Sequence, residues 1–233
     1  MKKKILFILC LLIQIINTEA QENKLDLSLS ADIYSLHLWR GFANGNAPSI
    51  QPCAELSKGN LTIGAWAAYA INGSYSEIDL YANFQLKNLK FSIFDYFMPE
   101  TNGKKNSFFD YNTKTTRHTI DLIAEYDADN FPVRILASKF IYGDDRHAET
   151  TKNMYSTYLE LAYKLNISDK KAEIIAAITP HESYYANKIN MVMAGIKIKD
   201  KIKINSDIQI PVKAFLMLNP YTENIYFNLG ICL

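Results

Sequence analysis

Apolar and polar residues alternate along most of the chain after residue 25. In the final segment, 223–233, every second residue is apolar, and 76–87 and 116–127 repeat this period of two. Successive side chains of a β-strand point to opposite faces, so the pattern predicts strands with one apolar and one wetter face. We predict twelve strands, at about 25–40, 48–57, 60–71, 76–87, 89–98, 116–127, 131–142, 154–166, 170–179, 190–199, 203–218 and 223–233.

The linkers between these strands tend to alternate between long and short. The linkers after odd-numbered strands are 41–47, 72–75, 99–115, 143–153, 180–189 and 219–222. Those after even-numbered strands are 58–59, 88, 128–130, 167–169 and 200–202. Outer-membrane barrels have short periplasmic turns, longer outer loops and an even number of strands. We therefore predict an all-β fold, a transmembrane antiparallel up-and-down β-barrel of about 12 strands.

Three predicted strands depart from strict alternation. In 25–40 the apolar phase shifts near Tyr34, which predicts a β-bulge. Asp95 and Lys139 each fall in phase with apolar neighbours. A lysine or arginine on the lipid face costs about 2–4 kcal/mol at mid-depth and less near the interface. We expect either that each of these strands carries a bulge or that the charges lie near the rim.

The N-terminus has the pattern of an export signal. Three lysines at 2–4 precede an apolar run at 5–16, and Thr18-Glu19-Ala20 provides a cleavage site. This predicts a secretory signal peptide over 1–20, an outer-membrane barrel over 21–233, and membrane lipid around it. The formal net charge of +1 argues against nucleic-acid binding. Cys53 and Cys232 are expected to be separate small residues rather than a disulfide.

Several short motifs carry a resemblance to a known family. They are Trp39-Arg40-Gly41, Ala-Pro-Ser-Ile-Gln-Pro at 47–52, Gly64-Ala65-Trp66, Glu-Ile-Asp-Leu-Tyr at 77–81, Asp95-Tyr96, Ile210-Pro211-Val212, Asn219-Pro220 and Tyr226-Phe227. Together they resemble the TorF-type porin family of Gram-negative outer-membrane β-barrels, in a Bacteroidetes-like version. The resemblance implies a porin for small solutes, assembled by the barrel-assembly machinery through its C-terminal strand. Leu233 departs from the terminal Phe that is frequent in such barrels.

Charged residues on the wetter faces are the candidate lumen lining. They are Glu55, Asp79, Arg117, Asp121, Glu125, Arg134, Glu160, Lys164, Glu173, Lys197, Asp207 and Lys213. In an open pore they would set ion selectivity, and in a closed barrel they would pair into a network that fills the interior. Twelve strands lie between small filled barrels and open porins of 16–18 strands, so both alternatives stay open.

Two other segments are candidates for controlling a pore. The longest linker contains Lys104, Lys105, Phe108 and Phe109, and it either folds inward as a pore loop, docks a surface partner or has no fixed role. Arg40 lies either at a pore mouth or, with Trp39, in an interfacial aromatic belt. We favour the belt for Trp39, and equally for Trp66 and Tyr69.

The sequence gives little support for catalysis. His118 lies near Thr116 and Thr119, and His37 near Ser35, but no Gly-x-Ser-x-Gly motif is present. His147 with Asp144 and Asp145 fits a solvated loop better than a metal site. We expect no enzyme, no cofactor and no metal site.

The predicted function is passive diffusion of small solutes through an outer-membrane porin. The main alternative is a non-conducting barrel with a structural or surface-interaction role. A soluble periplasmic β protein and a lipid hydrolase with its site at the rim are less favoured.

Overall fold

A computed structural model describes residues 24–99, 107–205 and 207–233. The predicted signal peptide, Lys104 and Lys105 lie outside them. The strands are β1 (Asp26–Tyr34), β2 (His37–Trp39), β3 (Phe42–Asn44), β4 (Ser49–Lys58), β5 (Leu61–Ala70), β6 (Ser76–Leu86), β7 (Leu89–Phe97), β8 (His118–Tyr126), β9 (Val133–Gly143), β10 (Thr157–Ile167), β11 (Lys170–Thr179), β12 (Asn190–Lys203), β13 (Gln209–Asn219) and β14 (Asn224–Cys232). Within this part of the chain, no helix is long and apolar enough to cross a membrane.

All strands except β2 and β3 form one closed antiparallel barrel. Each wall strand pairs with the wall strands before and after it, and β1 pairs with β14 to close the ring. The fold is therefore a twelve-stranded up-and-down β-barrel, as the alternation predicts. Full closure leaves no sheet edge along the paired part of the wall.

The linkers divide the barrel into two ends. The long-loop end carries the wall linkers 35–48, 71–75, 98–117, 144–156, 180–189 and 220–223. The short-turn end carries 59–60, 87–88, 127–132, 168–169 and 204–208. The predicted turn at 200–202 is wrong, because Asp200 still pairs with Val212. The chain turns instead where the Asn205 side chain accepts hydrogen bonds from the amides of Asp207 and Ile208.

The phase shift near Tyr34 is not a bulge. β1 pairs with β4 in unbroken register up to Tyr34, opposite Ser49. The chain then leaves the wall and enters the barrel, where β2 and β3 form a separate two-stranded hairpin. The predicted strand 25–40 is thus two strands with different surroundings, which is why its alternation breaks.

The outward face of the wall is apolar on every side. Each wall strand places at least one large hydrophobic side chain outward and exposed: Leu29, Ile50, Ile63, Leu80, Phe91, Leu122, Ile135, Leu161, Ile174, Ile202, Leu216 and Phe227. The inward face carries polar, charged and aromatic side chains. This division follows directly from the period of two in the sequence.

Asp95 and Lys139 lie on this outward face. The register of β7 with β8 is continuous at Asp95. β9 has a register shift against β8 directly after Phe140, but Lys139 still pairs with Leu122 and faces outward. Both charges belong to the half of the wall nearer the long-loop end, Asp95 beside the end of β7 and Lys139 facing the ring of Tyr155 at 5.9 Å. The expected position near the rim is therefore found for both charges, and the expected bulge only in the strand of Lys139.

Candidate functional site: an occluded lumen

The β2–β3 hairpin turns inside the barrel through Arg40 and Gly41. Both residues have positive φ, 45° and 94°, which fits a two-residue hairpin turn. A Cβ on Gly41 would lie 2.1 Å from the carbonyl oxygen of Val192 in β12. The Asn219 side chain of β13 donates a hydrogen bond to the Gly41 carbonyl at 3.1 Å. The turn is therefore pressed against the inner wall, and only glycine fits there.

Arg40 connects the hairpin to the opposite part of the wall. Its guanidinium donates to Asp121 of β8 and to the hydroxyl of Tyr185, both at 2.7 Å. The Asp121 side chain is completely buried and also accepts hydrogen bonds from Ser138 and Tyr96. A buried ion pair is stable only when its remaining polar atoms have partners, and this one has them.

Aromatic rings fill the space around this ion pair. The Arg40 guanidinium lies 4.8 Å from the Trp39 ring and 5.0 Å from the Tyr158 ring. The 180–189 loop inserts Tyr184 and Tyr185, whose rings contact Trp39. The hairpin and this loop together occlude the half of the lumen nearer the long-loop end.

The aromatic-belt prediction is wrong for both tryptophans. Trp39 lies in β2 of the inward hairpin and packs against the rings that fill the lumen, so it does not face the membrane interface. Trp66 points inward from β5, opposite Asp79, and lies 5.4 Å from the His37 ring. Tyr69 does lie on the outward face, where it is exposed. Arg40 is buried inside the barrel rather than at its mouth.

A hollow chamber lies beside the hairpin. Its volume is about 630 Å³, and its lining includes Trp66, Asp79, Tyr81 and Phe94. A second hollow of about 410 Å³ lies against the 127–132 turn. The two adjoin because both are lined by Lys197 and Lys199. The lumen is therefore blocked toward the long loops and hollow toward the short turns.

A charged network lines the wall on one side of this hollow region. Arg134 contacts Glu160 at 2.9 Å, Glu125 at 3.2 Å and Glu173 at 3.4 Å. Lys90 pairs with Glu125 at 2.7 Å. Opposite charges here neutralise each other, as the closed-barrel alternative anticipates.

Most of the predicted lumen residues point inward along the strand register. These are Glu55, Asp79, Asp121, Glu125, Arg134, Glu160, Lys164, Glu173, Lys197 and Lys213. Two of the predicted lumen residues lie outside the strands of the barrel wall. Arg117 precedes β8 and donates to Asp144 in the next long loop at 2.8 Å. Asp207 lies in the 204–208 turn, because β13 begins only at Gln209.

Other inward residues belong to the same site although the sequence reading did not single them out. Asp32 pairs with Lys213 at 3.3 Å, and Lys199 stands between Lys171 and Lys213 on neighbouring strands. Their place in the polar phase of each strand is the sequence signal that indicates an inward side chain. For the hairpin residues, the sequence carries no signal of a position inside the lumen beyond the phase shift at Tyr34.

The described part of the longest linker lies outside the barrel. The Phe108 ring packs against Phe97 and His118, both on the outward face, so a pore-loop position for Phe108 is wrong. Phe109 is exposed. Phe97, on the outer wall, gives the Phe108 ring an apolar surface to pack against.

His118 ties this segment to the wall. Its ring contacts Asp95 at 2.7 Å through Nδ1 and the Phe108 carbonyl at 2.6 Å through Nε2. The Tyr111 ring stacks on it at 4.1 Å, and its hydroxyl donates to Asp95 at 2.6 Å. Partial burial and this hydrogen bond raise the pKa of Tyr111 to about 12. We call this arrangement of Asp95, His118, Phe108 and Tyr111 the outer latch.

The outer latch lacks the geometry of a catalytic dyad. The ring nitrogens of His118 face the Asp95 carboxylate and the Phe108 carbonyl, and the Thr116 hydroxyl instead accepts from the His118 amide, so neither ring nitrogen faces a serine or threonine hydroxyl. A base needs a nucleophile within hydrogen-bond reach. The latch therefore explains how the partly buried Asp95 carboxylate is tolerated on the outward face.

The other candidate polar groups also have separate partners. Asp144 binds Arg117 and Arg146, and His147 faces Glu182 at 3.2 Å. Asp145 accepts hydrogen bonds from Ser156, while its burial raises its pKa. Among the described residues no three metal-ligating side chains come together.

The two cysteines in the described ranges are free, as expected. Cys53 contacts the hydroxyl of Tyr81, and Cys232 that of Tyr34.

Comparison with known proteins does not assign the chain to a family. No protein-family model matches the chain. No curated protein matches it either. The resemblance to the TorF-type porins stays a prediction from the motifs.

Proposed function

We propose that the protein is an outer-membrane β-barrel that is closed at rest by its own β2–β3 hairpin. Small solutes pass only when the hairpin leaves the lumen. The hydrophobic exterior supports the membrane location, and the Arg40–Asp121 contact supports the closure.

The apolar exterior supports a membrane location over a water-soluble monomer. Leu29 is 74% exposed, Ile225 66% and Phe227 63%, and comparable residues occur on every wall strand. Soluble monomers rarely expose continuous apolar patches above a few hundred Å². A closed barrel with an apolar outer band and a polar interior suits a bilayer, in which every backbone group must be paired internally.

The closure rests on the Arg40 side chain reaching Asp121. This one residue links the hairpin to β8 and to Tyr185 of the 180–189 loop. The Gly41 backbone is held by β13 on another side of the barrel. Passive diffusion in this conformation is therefore obstructed, and conduction requires these contacts to open.

The test is single-channel recording of the refolded protein in a planar bilayer. The wild-type protein is compared with a variant in which residues 36–44 are replaced by a Gly-Ser linker of the same length. We expect rare brief openings for the wild type and steady current steps for the variant. Heat-modifiable gel migration and extraction only by detergent check that each protein is a folded membrane barrel.

The outcomes separate the parts of the proposal. Equal steady conductance of both proteins would contradict closure by the hairpin. Silence of both folded proteins would contradict the porin role and favour a non-conducting barrel. Arg40→Ala removes the contacts to Asp121 and Tyr185 and should open more often than the wild type. Arg146→Ala, a change at an arginine in the 144–156 loop, is its matched control and should conduct like the wild type.

A further inference from the structure

We propose that the chamber beside the hairpin binds short zwitterionic peptides, with the ammonium end at the β6 wall and the carboxylate end at the β12 wall. The inference rests on the proposed function in that the solute must enter the lumen. It goes further by naming the solute class and the residues that recognise it.

The β6 wall offers hydrogen-bond acceptors that have no partner. Asp79 is 4% exposed and lines the chamber, and its Oδ1 has no hydrogen-bond partner. Asn83 is the second inward-facing residue after Asp79 on β6, and its side-chain oxygen is also buried without a partner. A buried acceptor without a partner is destabilising, so these two oxygens suit a ligand that brings N–H donors.

Asp79 and Glu77, neighbours on the inward face of β6, are hydrogen-bonded through their carboxyl groups, so the pair holds one proton and carries one negative charge. Glu77 also accepts from Tyr75 and faces His37, and no described lysine or arginine forms an ion pair with either carboxyl group. Arg40 is committed to Asp121, and Arg134 is shared among three glutamates. An ammonium group would balance the charge of this carboxyl pair and donate a hydrogen bond to the unpartnered Oδ1 of Asp79.

The β12 wall carries the complementary charge. Lys199 lines the chamber and is paired across the sheet with Lys171 on one side and Lys213 on the other. Like charges directly opposite each other in a sheet are destabilising. Lys213 has Asp32 as its partner, whereas no described carboxylate forms an ion pair with Lys199. A carboxylate ligand would relieve this repulsion.

The positive charge of the neighbouring Lys197 is balanced, so Lys197 contributes less to the attraction of a carboxylate ligand. It stands opposite Glu173 on β11, and its ammonium lies 5.1 Å from the Phe215 ring. The free positive charge at this wall is therefore centred on Lys199 and Lys171, at the junction of the two hollows.

The two walls face each other across the lumen. β6 and β12 are six strands apart whichever way the ring is followed, so they lie on opposite sides. Small-molecule sites typically measure about 300–1,000 Å³, and the chamber of about 630 Å³ falls in that range. Tyr81 of β6 and Phe94 of β7, stacked at 4.9 Å, add an apolar surface to the chamber on the same wall as Asp79. An acidic wall with an apolar surface, opposite a basic wall, fits a short peptide with two free ends.

The test measures binding of trialanine to the refolded full chain in detergent by calorimetry and tryptophan fluorescence. Both tryptophans, Trp39 and Trp66, line the chamber. Two matched probes, N-acetyl-trialanine and trialanine amide, each lack one charge. We expect each missing charge to weaken binding about tenfold, as for a lost hydrogen bond to a charged group.

Protein variants assign each end of the ligand. The double variant Glu77→Gln, Asp79→Asn removes the charge of the pair and should abolish the preference for the free ammonium, and Lys199→Gln should abolish the preference for the free carboxylate. Lys139→Gln, on the outward face, is the control and should bind like the wild type. Equal affinity for all three probes, or unchanged preferences in both variants, would overturn the proposal.

The binding experiment tests the peptide site independently of the bilayer recordings that test the gated pore. Binding is measured without a bilayer, for the wild type and for the variant that lacks the hairpin. Absence of binding in both folded proteins overturns the peptide site whatever the conductance. Binding by the hairpin-less variant supports the site even when the bilayer recordings are silent.

Discussion

The two halves of the lumen are enclosed by the same strands but have opposite contents. Near the long loops, rings from the hairpin and the 180–189 loop pack around a buried ion pair. Near the short turns, the wall carries charges around two adjoining hollows. The wall residues alternate in the same way in both halves. The difference therefore comes from segments that leave the wall, not from the wall itself.

The same contrast holds outside the barrel. Near the long loops, the 107–116 segment covers part of the outer wall through the outer latch. Near the short turns, the apolar surface is bare. The long-loop half is thus stabilised from both sides by added segments, whereas the short-turn half depends on strand pairing and charge pairing.

Removal of the buried Asp121 carboxylate has the largest expected effect and tests the contrast between the two halves of the lumen most strongly. Asp121→Ala leaves Arg40 buried without its counter-charge, which costs about 3–5 kcal/mol in typical proteins. Glu173→Ala removes a carboxylate that is 18% exposed and shares its arginine with two others. There we expect a loss of about 1 kcal/mol or less.

Urea unfolding of the refolded barrels in detergent measures both losses. Asp169→Ala, at an exposed residue of the 168–169 turn, controls for the effect of a lost surface charge. Equal destabilisation by Asp121→Ala and Glu173→Ala would show that the two halves are equally hydrated, and the comparison would fail.

The wall was predictable from the sequence because each wall residue sees one of two environments. Alternation of apolar and polar residues therefore places Glu55, Arg134 and Glu173 inward without knowledge of their partners. The hairpin sees protein on both of its sides, so it has no period of two. The pairing of Arg40 with Asp121 joins residues distant in sequence, and no local pattern encodes it.

The outer latch shows the same limit. Asp95 is recognisable in sequence only as a charge in an apolar phase. Its partners lie in the following linker and strand, and only the folded wall brings His118 beside it. Phe108 is equally apolar for a lumen or for an outer wall, which is why its position was not predictable.

Substitution of the hairpin glycine is the next test. Gly41→Ala places a Cβ 2.1 Å from the Val192 carbonyl at a φ of 94°. We expect the hairpin to be destabilised by more than about 1 kcal/mol, with a several-fold increase in open time in bilayer recordings. The barrel itself should keep its heat-modifiable migration, since Gly41 lies outside the wall.

Gly73→Ala is the matched control. Gly73 also has positive φ, 74°, but no atom lies within 4 Å of the added Cβ. It should reproduce the backbone strain without the clash and leave the open time unchanged. The same increase from both substitutions would mean that backbone strain, and not contact with the wall, determines closure.

The outer latch gives a smaller effect, limited to one loop. His118→Ala removes the contacts to Asp95 and to the Phe108 carbonyl, and we expect trypsin to cleave at Lys114 about tenfold faster, because each hydrogen bond to a charged group is worth about 1.5–3 kcal/mol. Phe109→Ala, at an exposed ring of the same segment, should cleave at the wild-type rate. Equal rates for His118→Ala and wild type would show that the segment is not held by the latch.

Cleavage on intact cells also tests the orientation of the barrel. Long loops of outer-membrane barrels face the exterior. Trypsin should therefore cut the His118→Ala protein at Lys114 and spare Lys58 in the short-turn half. Cuts confined to the short turns would invert the topology and would place the hollow half of the lumen outside.

The smallest expected effect is the pH dependence of the latch. Partial burial and the hydrogen bond to Asp95 raise the pKa of Tyr111 from its usual value near 10 to about 12 in the folded protein. A raised pKa favours the protonated hydroxyl in the fold. The contribution of Tyr111 is thus complete below pH 10 and is lost as the pH rises from 10 toward 12.

Subtilisin cleavage of the 107–116 segment between pH 8 and 11 measures this loss. In the wild type, cleavage relative to an unstructured peptide should increase a few-fold above pH 10, because the ionised hydroxyl no longer donates to Asp95. Tyr111→Phe should cleave faster at pH 8 and lose the rise, whereas Tyr155→Phe should follow the wild type. A rise that persists in Tyr111→Phe would assign the alkaline loosening to another group and would remove Tyr111 from the forces that hold this segment on the outer wall.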